Sequence, residues 1–183
     1  MRVRHVIVDR DGVLNRESPD GGYVMQPGDF HWLPGALAGL AALHQAGIRI
    51  SVATNQAGVG RGVMRLEQLQ AVHERMQAEA AAAGGTLAAV LFCPHSPEEH
   101  CECRKPAAGL IRSAIADSDI AAAETLMVGD DERDLEAARR AGVRAVLVRT
   151  GKGRAAEAQL RDIEVAVYDD LAQLAHAIVA EQA

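Results

Sequence analysis

Two aspartates, two positions apart, follow a short apolar run near the start of the chain. Residues 6 to 8 are Val-Ile-Val, Asp9 and Asp11 come next, and Gly12 follows them. Two carboxylates this close resist ionising together unless a cation or a shared proton lies between them. The pattern therefore predicts a Mg²⁺ site, a shared proton or both. An Asx-type turn after a strand would show the same residue types.

A second cluster of reactive side chains lies in the middle of the chain. All three cysteines fall within eleven residues, as Cys93, Cys101 and Cys103, and His95 lies between the first two. In a cytosolic protein such spacing favours a metal over a disulfide. Three thiolates and one imidazole form a closed tetrahedral shell, which indicates a structural Zn²⁺ site. His100 is an alternative fourth ligand, and free cysteines in a loop are the alternative to any metal.

Three further stretches carry groups that suit phosphate chemistry. Thr54, Asn55 and Gln56 end an apolar run and precede a glycine-rich loop, so their hydroxyl and amide groups could donate to a phosphoryl oxygen. Lys105 comes directly after the last cysteine, and a metal site there would fix where the lysine enters. Asp130 follows another apolar run.

Alternating strands and helices must position these residues. A β-branched run without polar alternation predicts a strand that is buried on both faces, and short loops between alternating elements predict a parallel sheet. We expect a Rossmann-like α/β fold, an open parallel sheet with helices on both faces, and no separate cap domain. His73 is expected to face solvent. The predicted strands are residues 6–8, 48–54, 87–92, 125–128, 143–148 and 163–167, and the predicted helices begin after Pro34-Gly35 and near residues 66, 108, 135 and 170.

Length and composition narrow the classes of protein. The chain has 183 residues, 49% hydrophobic and 24% charged, which suits one globular domain over residues 1–183 with a metal loop at 93–103. The net charge of −6 and scattered basic residues argue against a nucleic-acid partner. No apolar run is long enough to span a membrane, and no leader pattern opens the chain. We expect a cytoplasmic monomer.

Four motifs in order resemble those of the haloacid dehalogenase (HAD) phosphohydrolases. They are Asp9-Arg10-Asp11-Gly12, Ala53-Thr54-Asn55-Gln56, Cys103-Arg104-Lys105-Pro106 and the stretch from Gly129 to Asp134. The chain is more closely similar to the heptose bisphosphate phosphatases of that superfamily. That likeness includes Gly22-Tyr23-Val24, the cysteine loop and the Arg-Thr-Gly-Lys stretch at 149–152.

The resemblance implies a reaction and a role for each residue. It implies a Mg²⁺-dependent phosphatase that removes the 7-phosphate of D-glycero-D-manno-heptose 1,7-bisphosphate, a small sugar phosphate used in heptose nucleotide synthesis for lipopolysaccharide or other surface glycans. Asp9 would be the nucleophile that becomes an aspartyl phosphate, and Asp11 the general acid and base. The remaining assignments are Thr54 and Lys105 as catalytic groups, Tyr23, Asn55, Gln56 and Arg104 as substrate contacts, Asp9, Asp11 (through its backbone carbonyl) and Asp130 as Mg²⁺ ligands, and Cys93, His95, Cys101 and Cys103 as Zn²⁺ ligands.

Two other functions are compatible with the same motifs, and one residue departs from the family pattern. Histidinol-phosphate phosphatases share the zinc loop and the four motifs, and a phosphate-binding regulatory module without turnover would share the fold. Asp131 stands where heptose bisphosphate phosphatases often carry a lysine that meets the substrate. An acid at this position is expected to repel a second phosphate.

Overall fold

The computed structural model describes residues 2–18, 21–160 and 165–182. Six strands and seven α-helices alternate along these residues. The strands are β1 (His5–Val8), β2 (Arg49–Asn55), β3 (Ala89–Cys93), β4 (Thr125–Gly129), β5 (Arg144–Val148) and β6 (Ala166–Tyr168). The helices are α1 (Ala36–Gln45), α2 (Ala57–Gly60), α3 (Leu66–Ala82), α4 (Gly109–Ser118), α5 (Glu132–Ala141), α6 (Gly153–Gln159) and α7 (Leu171–Gln182).

All six strands form one parallel sheet in the order β3-β2-β1-β4-β5-β6. β1 lies in the interior of the sheet and pairs with β2 on one side and β4 on the other, in register from His5 to Val8. The strand order reverses at β1, and the carboxyl ends of strands at such a reversal form a crevice that binds ligands in open α/β sheets. The residues that follow β1, β2 and β4 therefore meet at one edge.

The sheet is covered on both faces, as the β-branched strand pattern predicts. Val6 and Val8 of β1 pack into an apolar core that includes side chains of α1, α3 and α7. Ile7 points to the opposite face, where a smaller core includes side chains of α4 and α5. This double burial explains why β1 shows no polar alternation.

The predicted fold class is confirmed, while several boundaries differ. α5 begins at Glu132 rather than Leu135, because Asp131 caps the helix through a bond from the Arg133 backbone N–H. The glycine-rich stretch after β2 contains the short helix α2, and α6 was not predicted. The predicted strand at 163–167 lies partly outside the described residues, and β6 covers Ala166–Tyr168.

None of the helices in the described ranges 2–18, 21–160 and 165–182 is both long and apolar enough to cross a lipid bilayer.

Candidate active site

The carboxyl edge of the sheet opens into a cavity of about 380 Å³. Asp9 and Asp11 enter it from the end of β1, Thr54 from β2, Asp130 from the end of β4, and Lys105 from the segment after β3. Nothing in the linear order of these residues brings them together. The parallel register of the sheet does, because each strand ends at the same edge.

Lys105 lies between two carboxylates. Its Nζ is 2.9 Å from Asp9 Oδ1 and 2.6 Å from Asp134 Oδ1, and its side chain is only 2% exposed. Burial opposes the charge on Lys105, but Asp134 and Asp9 raise its pKa, so it stays a cation. Asp134 thus holds the lysine against Asp9.

Asp9 keeps one carboxylate oxygen available. Its Oδ1 accepts from the Arg10 backbone N–H at 2.7 Å and pairs with Lys105, which orients the carboxylate and directs the other oxygen elsewhere. Burial raises the pKa of Asp9 to about 6, against the lowering effect of Lys105. The arrangement suits a nucleophile whose orientation is fixed before substrate arrives.

The backbone around Asp130 approaches its carboxylate closely, and this approach requires glycine at two positions. The Lys152 backbone N–H donates to Asp130 Oδ2 at 2.8 Å. Gly12 and Gly151 both have positive φ values, +89° and +54°, and a Cβ on either would clash with Asp130 Oδ2. Burial, and then the charge of Asp9, raise the pKa of Asp130 to about 8.

These carboxylates fit a divalent cation. Oxygens of Asp9, Asp130 and Asp134 all lie within 4.8 Å of one another. Asp134 is committed to Lys105 and to the Asp131 backbone N–H, which leaves Asp9 and Asp130 as the two side chains with oxygens to offer. Burial is the main cause of the raised pKa of both carboxyl groups, and the charge of Asp9 adds to it at Asp130, so a cation beside them would stabilise both carboxylates. An all-oxygen donor set of this kind suits Mg²⁺.

Asp11 is surrounded by hydrogen-bond donors. Arg10 Nη2 lies 2.9 Å from both of its oxygens, Asn15 Nδ2 donates to Oδ1 at 2.9 Å, and Gln56 Nε2 donates to Oδ2 at 2.8 Å. Burial alone would raise the pKa of Asp11, but Arg10, Asn15 and Gln56 outweigh it and lower the pKa. The carboxylate is therefore ionised and fixed in one orientation in this structure.

His73 supports that arrangement from the interior. The Arg10 side chain is fully buried, and its Nη1 lies 3.2 Å from His73 Nε2. Because arginine has only donors, the histidine nitrogen must accept, and burial together with Arg10 lowers the pKa of His73 to about 3. The prediction that His73 faces solvent is wrong, since its side chain on α3 is turned inward.

The residues at the end of β2 divide into two roles. Asn55 Nδ2 donates to the Lys105 carbonyl at 2.9 Å, and the Lys105 N–H donates to Asn55 Oδ1 at 3.0 Å, so this side chain clamps the lysine backbone. Thr54 faces the cavity and accepts from Gln56 at 2.9 Å, which leaves its hydroxyl hydrogen available to a ligand. Gln56, which we expected at the substrate, is buried and holds Asp11 and Thr54 instead.

The other expected substrate contacts lie on the cavity wall. Tyr23 lines the cavity, and its hydroxyl accepts from Arg61 at 3.1 Å. Arg104 lines it too and donates to the His95 carbonyl at 3.3 Å, which ties it to the cysteine loop. Both side chains are therefore positioned by neighbours rather than free.

Asp131 does not present a lone negative charge to the cavity. Arg133 Nε and Nη2 donate to its two oxygens at 2.9 and 2.7 Å, and the Arg133 backbone N–H completes the helix cap. Hydrogen bonds from Arg133 lower the pKa of Asp131 to about 2 despite its burial. The expected repulsion of a phosphate by Asp131 has to be judged together with this paired cation.

The cysteine loop forms a compact tetrahedral cluster. The sulfur-to-sulfur distances among Cys93, Cys101 and Cys103 are 3.2 to 3.5 Å, and His95 Nδ1 lies 3.3 Å from Cys103 and 3.6 Å from Cys93. A tetrahedron with Zn–S bonds of about 2.3 Å has edges of roughly 3.8 Å, a few tenths of an ångström longer than these values. A disulfide would need about 2.05 Å. His100 is exposed and is not in the cluster, so His95 is the histidine that is positioned to complete a four-ligand shell.

Several residues of the site carried weak sequence signals or none. Arg10 is adjacent to both aspartates, but an arginine in a loop is usually exposed. His73 lies 63 residues from its partner. In the sequence Gly151 stands out only as part of a family stretch, although its positive φ and its approach to Asp130 require glycine at this position. Arg133 lines the cavity, although its position in the sequence did not predict a role there.

Comparison with known proteins agrees with this geometry. The HAD-hydrolase-like family model matches residues 102–174. The chain is 39% identical to D-glycero-β-D-manno-heptose-1,7-bisphosphate 7-phosphatase of Pseudomonas putida over 95% of this chain and 98% of that one. It is 40% identical to the Bordetella bronchiseptica enzyme of the same name, over 96% and 98%.

Solved structures show the same likeness. The crystal structure of D,D-heptose 1,7-bisphosphate phosphatase from B. bronchiseptica, complexed with magnesium and phosphate, superposes with a TM-score of 0.92 at 40% identity over 99% of each chain. The corresponding enzyme from Burkholderia thailandensis gives a TM-score of 0.75 at 35% identity, over 97% of this chain and 99% of that one.

Proposed function

The chain belongs to the heptose bisphosphate phosphatase family of HAD-like hydrolases, and on that basis we propose that it removes the 7-phosphate from D-glycero-D-manno-heptose 1,7-bisphosphate with Mg²⁺ as cofactor. One observation carries the proposal. Asp9, Asp11, Thr54, Lys105 and Asp130 converge in one cavity, in positions that suit transfer of a phosphoryl group to a carboxylate.

The first half of the reaction uses Asp9 as the nucleophile. Its uncommitted oxygen would attack phosphorus, the bond from phosphorus to the C7 oxygen would break, and an aspartyl phosphate would form. Lys105 and Thr54 would stabilise the equatorial oxygens of the transferring group, which carry most of the charge. Asn55 would keep Lys105 in place through its two bonds to the lysine backbone.

Asp11 would move the protons. It would give a proton to the departing C7 oxygen and then take one from the water that cleaves the aspartyl phosphate. Arg10, Asn15 and Gln56 hold it ionised, which is the form for the second task, and it must be protonated before the first. This hydrolysis would release free phosphate and regenerate the unmodified Asp9 carboxylate.

The carboxylates of Asp9 and Asp130 and the backbone carbonyl of Asp11 would hold the cation. When bound, Mg²⁺ supplies charge neutralisation for the phosphoryl oxygens. Zn²⁺ in the cysteine cluster would have a structural role, since all four positions of its shell are filled by protein. That cluster ends two residues before Lys105 and so fixes the start of the segment that delivers it.

The substrate would extend from the catalytic edge along the cavity wall. Tyr23 and Arg104 lie there and would contact the sugar and its second phosphate. A guanidinium suits the second phosphate because it can donate two parallel hydrogen bonds. We further propose that the enzyme works in the cytoplasm as a monomer, which fractionation and light scattering can test.

The deciding experiment compares kcat/KM for the heptose bisphosphate and for histidinol phosphate with Mg²⁺ present, and identifies the product by phosphorus NMR. We expect the bisphosphate to be preferred and heptose 1-phosphate to be released. Asp9→Asn, of nearly equal volume, should abolish turnover while leaving the melting temperature close to that of the wild type. A preference for histidinol phosphate would refute the substrate. Binding of phosphate esters without turnover would identify a regulatory module.

A further inference from the structure

Arg133 occupies a position in α5 that helix stability does not explain. It is the second residue of the helix, where the positive end of the helix dipole disfavours a cation. Asp131 already caps the helix, and its cap bond comes from the Arg133 backbone rather than the side chain. The Arg133 side chain is 46% exposed, so its ion pair with Asp131 adds little to stability. A different role has to account for an arginine on the cavity wall.

Asp131 fixes the Arg133 guanidinium toward the site. Side chains on a helix point back toward its N-terminus, and here that direction leads to the carboxyl edge of the sheet. The bidentate contact with Asp131 sets the plane of the guanidinium. Hydrogen bonds to Asp131 raise the pKa of Arg133, and the charges of Asp134 and Asp9 add to this effect.

The guanidinium can serve two anions at once. It has five N–H donors, and its side chain uses two of them on Asp131. The remaining donors include the Nη1 group, so a phosphate can be bound while Asp131 keeps its own contact. Lys105, in contrast, is fully buried between Asp9 and Asp134 and belongs to the transferring group.

We propose that Arg133, positioned by Asp131, contacts the second phosphate of a bisphosphate substrate and so determines specificity for it. The inference rests on the proposed function, because it assumes that the bound ester carries a second anionic group. The Asp131–Arg133 pair then supplies a cation at this end of the cavity, and the acid at position 131 orients that cation instead of repelling the substrate.

The test uses matched pairs of substrates that differ only in the second phosphate. These are heptose 1,7-bisphosphate with heptose 7-phosphate, and fructose 1,6-bisphosphate with fructose 6-phosphate. Arg133→Gln should lower kcat/KM for the bisphosphate by about 10- to 100-fold, the range for one charge-assisted contact, and leave the monophosphate within about threefold. Arg133→Lys, which keeps the charge but not the fork, should lose less. Arg139→Gln is the matched control, since Arg139 lies on the same helix, pairs with Glu136 and is outside the cavity.

A double variant separates contact from simple neutralisation. Asn caps helices as well as Asp, so Asp131→Asn keeps the cap and removes the charge. If Arg133 contacts the phosphate, Asp131→Asn/Arg133→Gln should stay as slow on the bisphosphate as Arg133→Gln. Recovery to the wild-type rate would mean that Arg133 only neutralises Asp131, and would overturn the inference. An equal loss on both members of a pair, or a wild type without preference for the bisphosphate in either pair, would overturn it too. The wild type could reject the heptose bisphosphate and still prefer fructose 1,6-bisphosphate to fructose 6-phosphate. If Arg133→Gln then abolishes that preference, the proposed substrate would be refuted and the role of Arg133 upheld.

Discussion

Among the described residues, Lys105 is the only side-chain cation within 3 Å of both Asp9 and Asp134, and replacing it with methionine removes that charge. Methionine fills a similar volume, so the change tests charge rather than packing. Taking one partner out of a buried ion pair costs about 3 to 5 kcal/mol, because the other charge stays buried and uncompensated. For a chain of 183 residues that corresponds to a fall in melting temperature of roughly 6 to 20 °C.

The other lysine of the chain provides a matched control. Lys152 also lines the cavity and also pairs with an acid, Glu17, but both side chains are well exposed at 50% and 39%. Exposed pairs contribute about 0 to 1 kcal/mol, so Lys152→Met should change stability little. Its backbone bond to Asp130 survives the substitution.

Calorimetry on Lys105→Met, Asp134→Asn and the double variant measures how strongly the pair is coupled. Asp134→Asn removes the second partner of the lysine, so in the double variant Lys105→Met no longer leaves Asp134 as an unpaired charge. The double variant should therefore lose less stability than the sum of the two single variants. The buffer should omit magnesium without adding a chelator, because a chelator would also attack the cysteine cluster. Strict additivity, or a Lys105→Met variant as stable as Lys152→Met, would refute the reasoning.

Three further outcomes are expected. The wild type should contain about one zinc ion per chain, and Cys103→Ser should lower the zinc content, the stability and the rate of phosphate release. Elemental analysis that finds no zinc in wild-type protein prepared without chelator would contradict this prediction. Burial lowers the pKa of His5 to about 4, so below pH 6.5 the unfolded chain binds a proton at His5 that the folded chain does not bind. The free energy of unfolding should therefore fall by up to about 3 kcal/mol between pH 6.5 and pH 4. Denaturant titrations of His5→Gln should lack this loss. His73→Leu should cost about 1 to 3 kcal/mol and slow turnover because buried Arg10 loses an acceptor, whereas His73→Gln should restore both, and equal melting curves for the two would count against this role.

The fold and most of the residues that converge in the cavity were accessible from the sequence because each motif is encoded locally. A β-branched run followed by Asp9 and Asp11 specifies a buried strand and what it delivers to the sheet edge. The cysteine cluster was equally accessible, since metal ligands of the right type and spacing rarely occur together by chance. Parallel pairing of neighbouring strands then brings these separate motifs together.

The residues that hold these cavity side chains in place were not accessible from the sequence, because their contacts are long-range. Arg10 is buried, and its partner His73 comes from α3, far along the chain. Gln56 is a residue type that often contacts ligands, but at the end of β2 its side chain points toward Asp11. Periodicity also missed α6, a seven-residue helix of mainly small and polar residues, GRAAEAQ. A pattern of residue types does not specify which long-range partner a polar side chain will meet.

The segment from Asp130 to Asp134 shows why the charge of one position is a poor guide to its effect on a ligand. Four of its five residues are acidic, a composition that on its own would repel phosphate. In the structure Asp134 holds Lys105, Asp131 holds Arg133, and Asp130 is one of the two carboxylates that fit a cation. Two of the four acids thus position positive charge toward the cavity, and a third has oxygens that fit a cation. Position 131 therefore has to be compared with family members as a pair with position 133, because a lysine placed there would also remove the anchor of Arg133.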